Sequence, residues 1–107
     1  MLFRSQRKLD MIEQLSSVAT EAGISLAHMA LAFPLAHPGV TAVNFGVRNV
    51  RQFNDAKAGF GTRLTDDVLD AIDVCNPPGS IVDEADRGWI MPWMAPEARR
   101  RQPSAVA

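Results

Sequence analysis

The chain has 107 residues and a net charge of −1, and its 47% hydrophobic and 21% charged content is that of a globular domain or of part of one. The charge argues against non-specific binding to nucleic acids or anionic membranes. No apolar run approaches the roughly 18 residues of a membrane span, and the N-terminus has no apolar core of signal-peptide length. The single cysteine, Cys75, excludes an internal disulfide framework and suits a reducing cytoplasm.

Two helices are predicted before the middle of the chain. Residues 6–22 carry apolar side chains at helical spacing, and Gly23 is a typical C-terminal stop. Ser25 is the predicted N-cap of a second helix over about residues 26–36, and Pro34 should bend or end it. This second helix is apolar on nearly every side, so we expect it to be buried on most of them.

A strand, a turn and a third helix are predicted next. Residues 40–45 are rich in β-branched and apolar types, which is typical of a short buried strand, and Gly46 ends it. Asn49 is a good N-cap for a helix over about residues 50–58. Gln52, three residues later, predicts a capping box in which its side chain returns to the N-cap backbone.

The turn between that strand and that helix contains Arg48. Free backbone N–H groups and the positive end of the helix dipole converge there beside a guanidinium, a geometry that suits a phosphate. The alternative is an ordinary strand-to-helix connection with a solvated arginine. The residues leave this alternative open, because the glycine pattern is too short for a nucleotide fingerprint.

The rest of the chain is predicted to be one more helix and a long tail. Thr65 is the N-cap of a helix over about residues 66–74, and prolines and a glycine then end regular structure. We expect Trp89 and Trp93 in this tail to be packing anchors. We expect its basic run, Arg99 to Arg101, to be solvated.

A single strand cannot form a sheet, and its backbone N–H and C=O groups need partners that this sequence does not offer. Too little of the chain is left to cover the apolar second helix. Both observations indicate part of a larger structure.

Other candidate sites are weaker. The join at residues 19–25 resembles a helix-turn-helix, but the second helix would present no Arg, Lys, Asn or Gln at its start, so DNA binding is not predicted. His28 and His37 lack ligands at metal-binding spacing, and both are interpreted as packed or surface histidines. Cys75 has no visible base or partner. The sequence therefore predicts neither a metal site nor a catalytic residue.

Residues 7–101 resemble the C-terminal part of an aldo/keto reductase, a (β/α)8 TIM-barrel enzyme that uses NADPH. The resemblance lies in residues 26–33, 36–41, 45–48 with Gln52, and 64–73, and in the tail segments 77–82 and 85–89, which are similar to one bacterial branch. It implies an α/β fold in which residues 1–76 are the C-terminal portion of the barrel, with the last strand and its flanking helices, and residues 77–107 are a C-terminal extension. On its own such a piece would be mostly α-helical with one short strand.

The resemblance also implies a cofactor site after the last strand. Arg48 would contact the adenosine 2′-phosphate of NADP, and Gln52 and Asp55 would lie near the ribose and adenine. The implied cofactor-binding residues are Gly46, Val47, Arg48, Gln52 and Asp55. Two residues depart from the family pattern, because Ala56 replaces a frequent asparagine and Asn44 replaces an apolar strand residue.

The catalytic Asp, Tyr, Lys and His of such enzymes come from earlier strands, and this chain contains no tyrosine. We therefore expect a fragment of a cytoplasmic NADP-dependent oxidoreductase that acts, when whole, on NADPH and a small carbonyl substrate. Alone it is expected to be inactive and to self-associate. The alternative is a non-catalytic truncated product, or an interaction module that completes another chain. An upstream reading frame encoding the catalytic set would distinguish these.

Overall fold

A computed structural model of the chain describes residues 2–98 and 100–101, with side chains from residue 6 onwards. Within that part, the fold consists of four α-helices followed by three short 3-10 helices. The elements are α1 (Leu2–Ala22), α2 (Leu26–Leu35), α3 (Val50–Ala58), α4 (Asp66–Cys75), and the 3-10 helices Glu84–Asp86, Pro92–Met94 and Pro96–Ala98.

The four predicted helices are confirmed, and so are the three predicted N-caps. The side chains of Ser25, Asn49 and Thr65 each accept a hydrogen bond from the backbone N–H three residues later, at 3.0, 2.9 and 3.3 Å. Pro34 lies in the last turn of α2, which ends one residue beyond it. Local capping and periodicity therefore suffice to place these helices.

The predicted strand at residues 40–45 is wrong, because the described residues contain no β-strand. The backbone N–H of Val40 bonds to the carbonyl of His37, and the next backbone N–H with a partner among the described residues is that of Arg48. A strand is defined by a ladder to a second strand, and the described chain supplies none. Residues 41–47 therefore form an irregular connection, in which Asn44 is exposed.

The core lies where α1 packs against α2 and α4. Ala19, Met29 and Ile72, one residue from each of these helices, form its buried centre. Gly23, with a φ of 74°, provides the left-handed turn between α1 and α2. Partly buried side chains surround this centre, namely Leu15, Val18, Ile24, Leu26, Leu64 and Val68.

Helix α2 is less buried than its composition predicts. Met29 and Ala32 are buried, but Phe33 is 47% and Leu35 42% exposed. The helices present cover one side of α2 and leave the other uncovered. An apolar pocket of about 200 Å³ opens beside it, between Leu31 and Leu35 of α2, residues 43 and 45 of the connection, and residues 59–62.

In the described residues no single helix is long and apolar enough to cross a membrane. Helix α1 from Gln6 and α2 meet that test only when joined, and they are bent by 92° at their junction.

The tail contacts the helices through ion pairs rather than through its aromatic residues. Trp89 and Trp93 are 86% and 68% exposed, so their prediction as packing anchors is wrong. Lys8 of α1 instead forms a 2.7 Å ion pair with Asp86. Neither tryptophan finds an apolar surface to bury against in the described chain.

Arg101 is bound rather than solvated, contrary to its prediction. Its guanidinium donates hydrogen bonds to three aspartates on one face of α4: Asp66 at 3.1 Å, Asp70 at 2.8 Å and Asp73 at 3.0 Å. These bonds, that to Asp70 foremost, raise the pKa of Arg101 above its ordinary value. Arg99 and residues 102–107 of the predicted extension lie outside the described residues.

Candidate functional site

The turn that precedes α3 is closed by two side-chain hydrogen bonds. Asn49, in an extended conformation (φ −153°, ψ 170°), accepts from the backbone N–H of Gln52 at 2.9 Å. Gln52 Oε1 in turn accepts from the backbone N–H of Arg48 at 2.7 Å. The predicted capping box differs by one residue. The side chain of Gln52 accepts from the backbone N–H of Arg48, the residue before the N-cap, and not from that of Asn49. The two bonds hold residues 48–52 in one conformation.

The start of α3 is a positive pole. The backbone N–H groups of Val50 and Arg51 have no partner among the described residues, as expected for the first turn of a helix. The first turn contains no acidic residue. The guanidinium groups of Arg48 and Arg51 form no ion pair or hydrogen bond with the described part of the chain, and both side chains are exposed. Unpaired donors, the helix dipole and two cations therefore act together at this end.

Gly46 is the first residue of the turn, and the local structure does not require a glycine there. Its φ is not in the left-handed region, and a Cβ placed on it would meet no atom within 4 Å. Val47, the next residue, is 41% exposed. Neither backbone conformation nor packing among the described residues therefore requires a glycine at position 46.

Asp55 lies on the second half of α3, away from the turn. Its carbonyl oxygen is 2.8 Å from Nε2 of His28 on α2, and its carboxylate, which is 62% exposed, lies 3.7 Å from the same nitrogen. The structure thus joins Arg48 and Gln52 directly and places Asp55 against α2. Ala56, the departure from the family pattern, is buried, so its side chain points away from solvent.

Sequence reasoning missed the contact of His28 with α3. The sequence predicts a packed or surface histidine rather than a metal ligand at position 28, and no local pattern links it to a carbonyl 27 residues away. The ring lies against Gly59 at the end of α3, and the sequence shows only that this position has no side chain.

Acidic, histidine and cysteine side chains do not gather into a metal site. Among the described residues no three of them lie close enough to hold a metal ion. The three aspartates of α4 surround Arg101 instead. Cys75 is a free, half-buried thiol.

Comparison with known families gives one result that bears on this geometry. The model of the aldo/keto reductase family matches residues 3–77, a span that contains the turn at residues 46–49 and α3. No curated protein and no solved structure matches the chain.

Proposed function

Because the chain belongs to the aldo/keto reductase family, we propose that it is the C-terminal part of an NADP-dependent reductase whose 2′-phosphate site is the turn at residues 46–49. The family consists of oxidoreductases with a TIM-barrel fold, and it typically uses a nicotinamide cofactor. In such a barrel phosphates bind at the C-terminal face, after the last strands. Residues 40–45 form no strand in the described chain, and we propose that they become the last strand where a complete barrel supplies a neighbouring strand. The proposed location is the cytoplasm, which the free thiol of Cys75 suits.

The observation that carries this proposal is the unpaired guanidinium of Arg48 beside the capped N-terminus of α3. A guanidinium binds phosphate with two parallel hydrogen bonds, and no carboxylate in the first turn of α3 competes for it. The backbone N–H groups of Val50 and Arg51 lie at the positive end of the α3 dipole and would also donate to the ligand. The donor set therefore fits a dianionic phosphate monoester.

The other residues of the site have supporting roles in this proposal. Gly46 and Val47 let the ligand approach the backbone, because a Cβ at position 46 is missing and open space adjoins it. Gln52 holds the backbone of Arg48, and Asp55 is one helical turn further along α3, towards the ribose and adenine. The cofactor, when bound, supplies the hydride. These residues contribute to its binding and not to proton transfer.

Reduction of a carbonyl also needs a proton donor, which in this family is a tyrosine. The chain has no tyrosine, so the donor and the pocket for a small carbonyl substrate must come from residues outside it. We therefore assign this chain a cofactor-binding role and no catalytic residue.

The test is an Arg48→Ala substitution in a full-length enzyme that contains this segment. Loss of a charge-assisted phosphate contact costs about 1.5–3 kcal/mol, so NADPH should bind roughly ten- to a hundredfold more weakly while NADH is little affected. Lys57→Ala is the matched control, because it removes the same charge from the other end of α3. Equal weakening of both cofactors by Arg48→Ala would contradict a role in reading the 2′-phosphate.

A second candidate function is an interaction module that completes another chain. It is favoured by residues 41–47, whose backbone groups have no hydrogen-bond partner among the described residues. These residues are exposed or half-buried, so their backbone groups are accessible to a strand that another chain adds. Co-expression with a family barrel truncated before its last strand tests this: a stable complex supports the module, and separate elution of the two chains argues against it.

A further inference from the structure

We propose that His28 is a positioning residue, which fixes the direction of α3 and thereby the place of the Arg48 turn at its opposite end. This inference rests on the proposed phosphate-binding function of that turn. It assigns a role to a residue of α2 that lies far from the turn in the sequence.

The first step is the hydrogen bond between the two helices. Nε2 of His28 is 2.8 Å from the carbonyl oxygen of Asp55. A carbonyl oxygen can only accept, so Nε2 carries the hydrogen and donates it. The side chain of His28 is 19% exposed, whereas that of Asp55 is 62% exposed, so the ring is more enclosed than its partner.

The second step is the reason why that carbonyl is available. The last carbonyls of a helix have no partner within the helix. The backbone N–H of Gly59, which could have bonded to Asp55, bonds to the carbonyl of Ala56 at 3.0 Å. His28 therefore caps the C-terminal end of α3 from a neighbouring helix.

The third step is the fit of the ring. Gly59 is buried against His28, and a Cβ built on Gly59 would overlap the imidazole ring. The ring thus occupies the space that any other residue at position 59 would fill. The ring contact at Gly59 and the hydrogen bond at Asp55 are two separate contacts on α3 and its C-cap, and together they restrain how this end meets α2.

The fourth step is that, among the described residues, α3 has few other contacts that hold it. The core joins α1, α2 and α4, and Ala56 is the residue of α3 that is buried. Towards the turn, Val50 is 73% and Phe53 46% exposed. A helix of nine residues moves as a rigid rod, so loosening the contact at its C-terminal end would let its N-terminal end move as well.

The experiment uses the 107-residue chain, labelled with ¹⁵N, and compares His28→Ala with His37→Ala. His37 is an exposed histidine that bonds locally to the backbone N–H of Gly39, so it is a matched control. Two quantities are measured: hydrogen exchange of the Phe53 amide in the first turn of α3, and affinity for adenosine 2′,5′-bisphosphate relative to adenosine 5′-monophosphate. His28→Gln, which keeps a donor, is the rescue variant.

The expected result is faster exchange at Phe53 and a loss of about three- to tenfold in preference for the bisphosphate in His28→Ala, since one neutral hydrogen bond is lost. His37→Ala should change neither quantity, and His28→Gln should restore both. Faster exchange confined to Gly59 and Phe60, with Phe53 and ligand preference unchanged, would overturn the proposal and leave His28 a local cap.

Two further outcomes separate this proposal from the proposed function. If the wild-type chain shows no preference for the bisphosphate while Phe53 exchange still depends on His28, the phosphate site is wrong and the positioning of α3 is supported. If the Phe53 amide of the wild-type chain is unprotected, α3 has no set direction and the positioning proposal is wrong.

If His28→Ala and His28→Gln both unfold, the ¹⁵N spectrum of the wild-type His28 ring tests the hydrogen bond directly. A coupling across the bond from Nε2–H to the carbonyl of Asp55 supports the proposal, and a neutral ring protonated at Nδ1 overturns it because it cannot donate to Asp55.

Discussion

The cluster of Arg101 with three aspartates offers a quantitative test of how the tail is held. Substitution of Arg101 by alanine removes three charge-assisted hydrogen bonds to α4. Asp66 and Asp70 are 59% and 65% exposed, so their bonds lie at the weak end of the range for surface ion pairs, whereas Asp73 is 22% exposed. The substitution also leaves the aspartates facing one another along one helix face.

These contributions amount to about 1.5 kcal/mol of unfolding free energy, because a surface pair is worth about 0.2–1 kcal/mol and helical like-charge pairs cost a few tenths. In a domain of this size that corresponds to a fall in Tm of about 6–12 °C. Thermal unfolding is followed by far-ultraviolet circular dichroism at one fixed chain concentration in low salt. In about 1 M NaCl, where the screening length is about 3 Å, the loss should shrink to roughly half.

Arg7→Ala is the matched control, because Arg7 is exposed on α1 and the substitution is chemically identical. Arg101→Lys should recover part of the stability, since an ammonium keeps the charge but lacks the planar fork. In double-mutant cycles, the coupling of Arg101 to Asp73 should exceed that to Asp66 because it is less exposed to solvent. A Tm for Arg101→Ala within about 1 °C of both the wild type and the control would refute this reasoning.

Three further predictions concern activity, association and pH. The isolated chain should show no carbonyl reductase activity with NADPH over a panel of aldehydes and ketones; turnover that persists through purification would contradict the argument from the missing tyrosine. The isolated chain should also self-associate, because the backbone of residues 41–47 is unpaired among the described residues and one side of α2 is uncovered; a concentration-independent monomer in sedimentation would contradict this. The hydrogen bond from Arg87 lowers the pKa of Glu84. The contribution of this pair to folding stability is therefore present above the ordinary pKa of a glutamate and is lost as pH falls through the lowered value. An amide titration of Arg87 should follow that loss, and Glu84→Gln should abolish it; an unchanged titration in this variant would exclude Glu84 as its source.

The helices could be predicted from the sequence because each depends on nearby residues. An N-cap and the N–H it binds are three residues apart, and periodicity is visible within one helix. The strand at residues 40–45 could not be predicted in the same way. Its residue types suit a sheet, but a strand also needs a partner, which the described chain lacks.

The same distinction applies to the candidate site. The turn with Arg48 and the cap at Asn49 were predicted because both are local. The contact of His28 with Asp55 joins residues 27 positions apart, and the bond of Arg101 to Asp66 spans 35. Such pairs depend on how helices pack, and periodicity contains no information about them.

The core has a consequence for the order in which the chain folds. Ala19 and Ile72 meet at its centre, although they lie in the first and the last α-helix of the described chain. Helices form quickly from local contacts, whereas closing a long loop delays the contacts at its ends. On the ribosome, α2 emerges well before α4. Its apolar residues, such as Met29, therefore stay exposed until Ile72 of α4 is available to cover them. We therefore expect α4 to be the rate-limiting piece of folding and the nascent chain to be most prone to aggregation just before it appears.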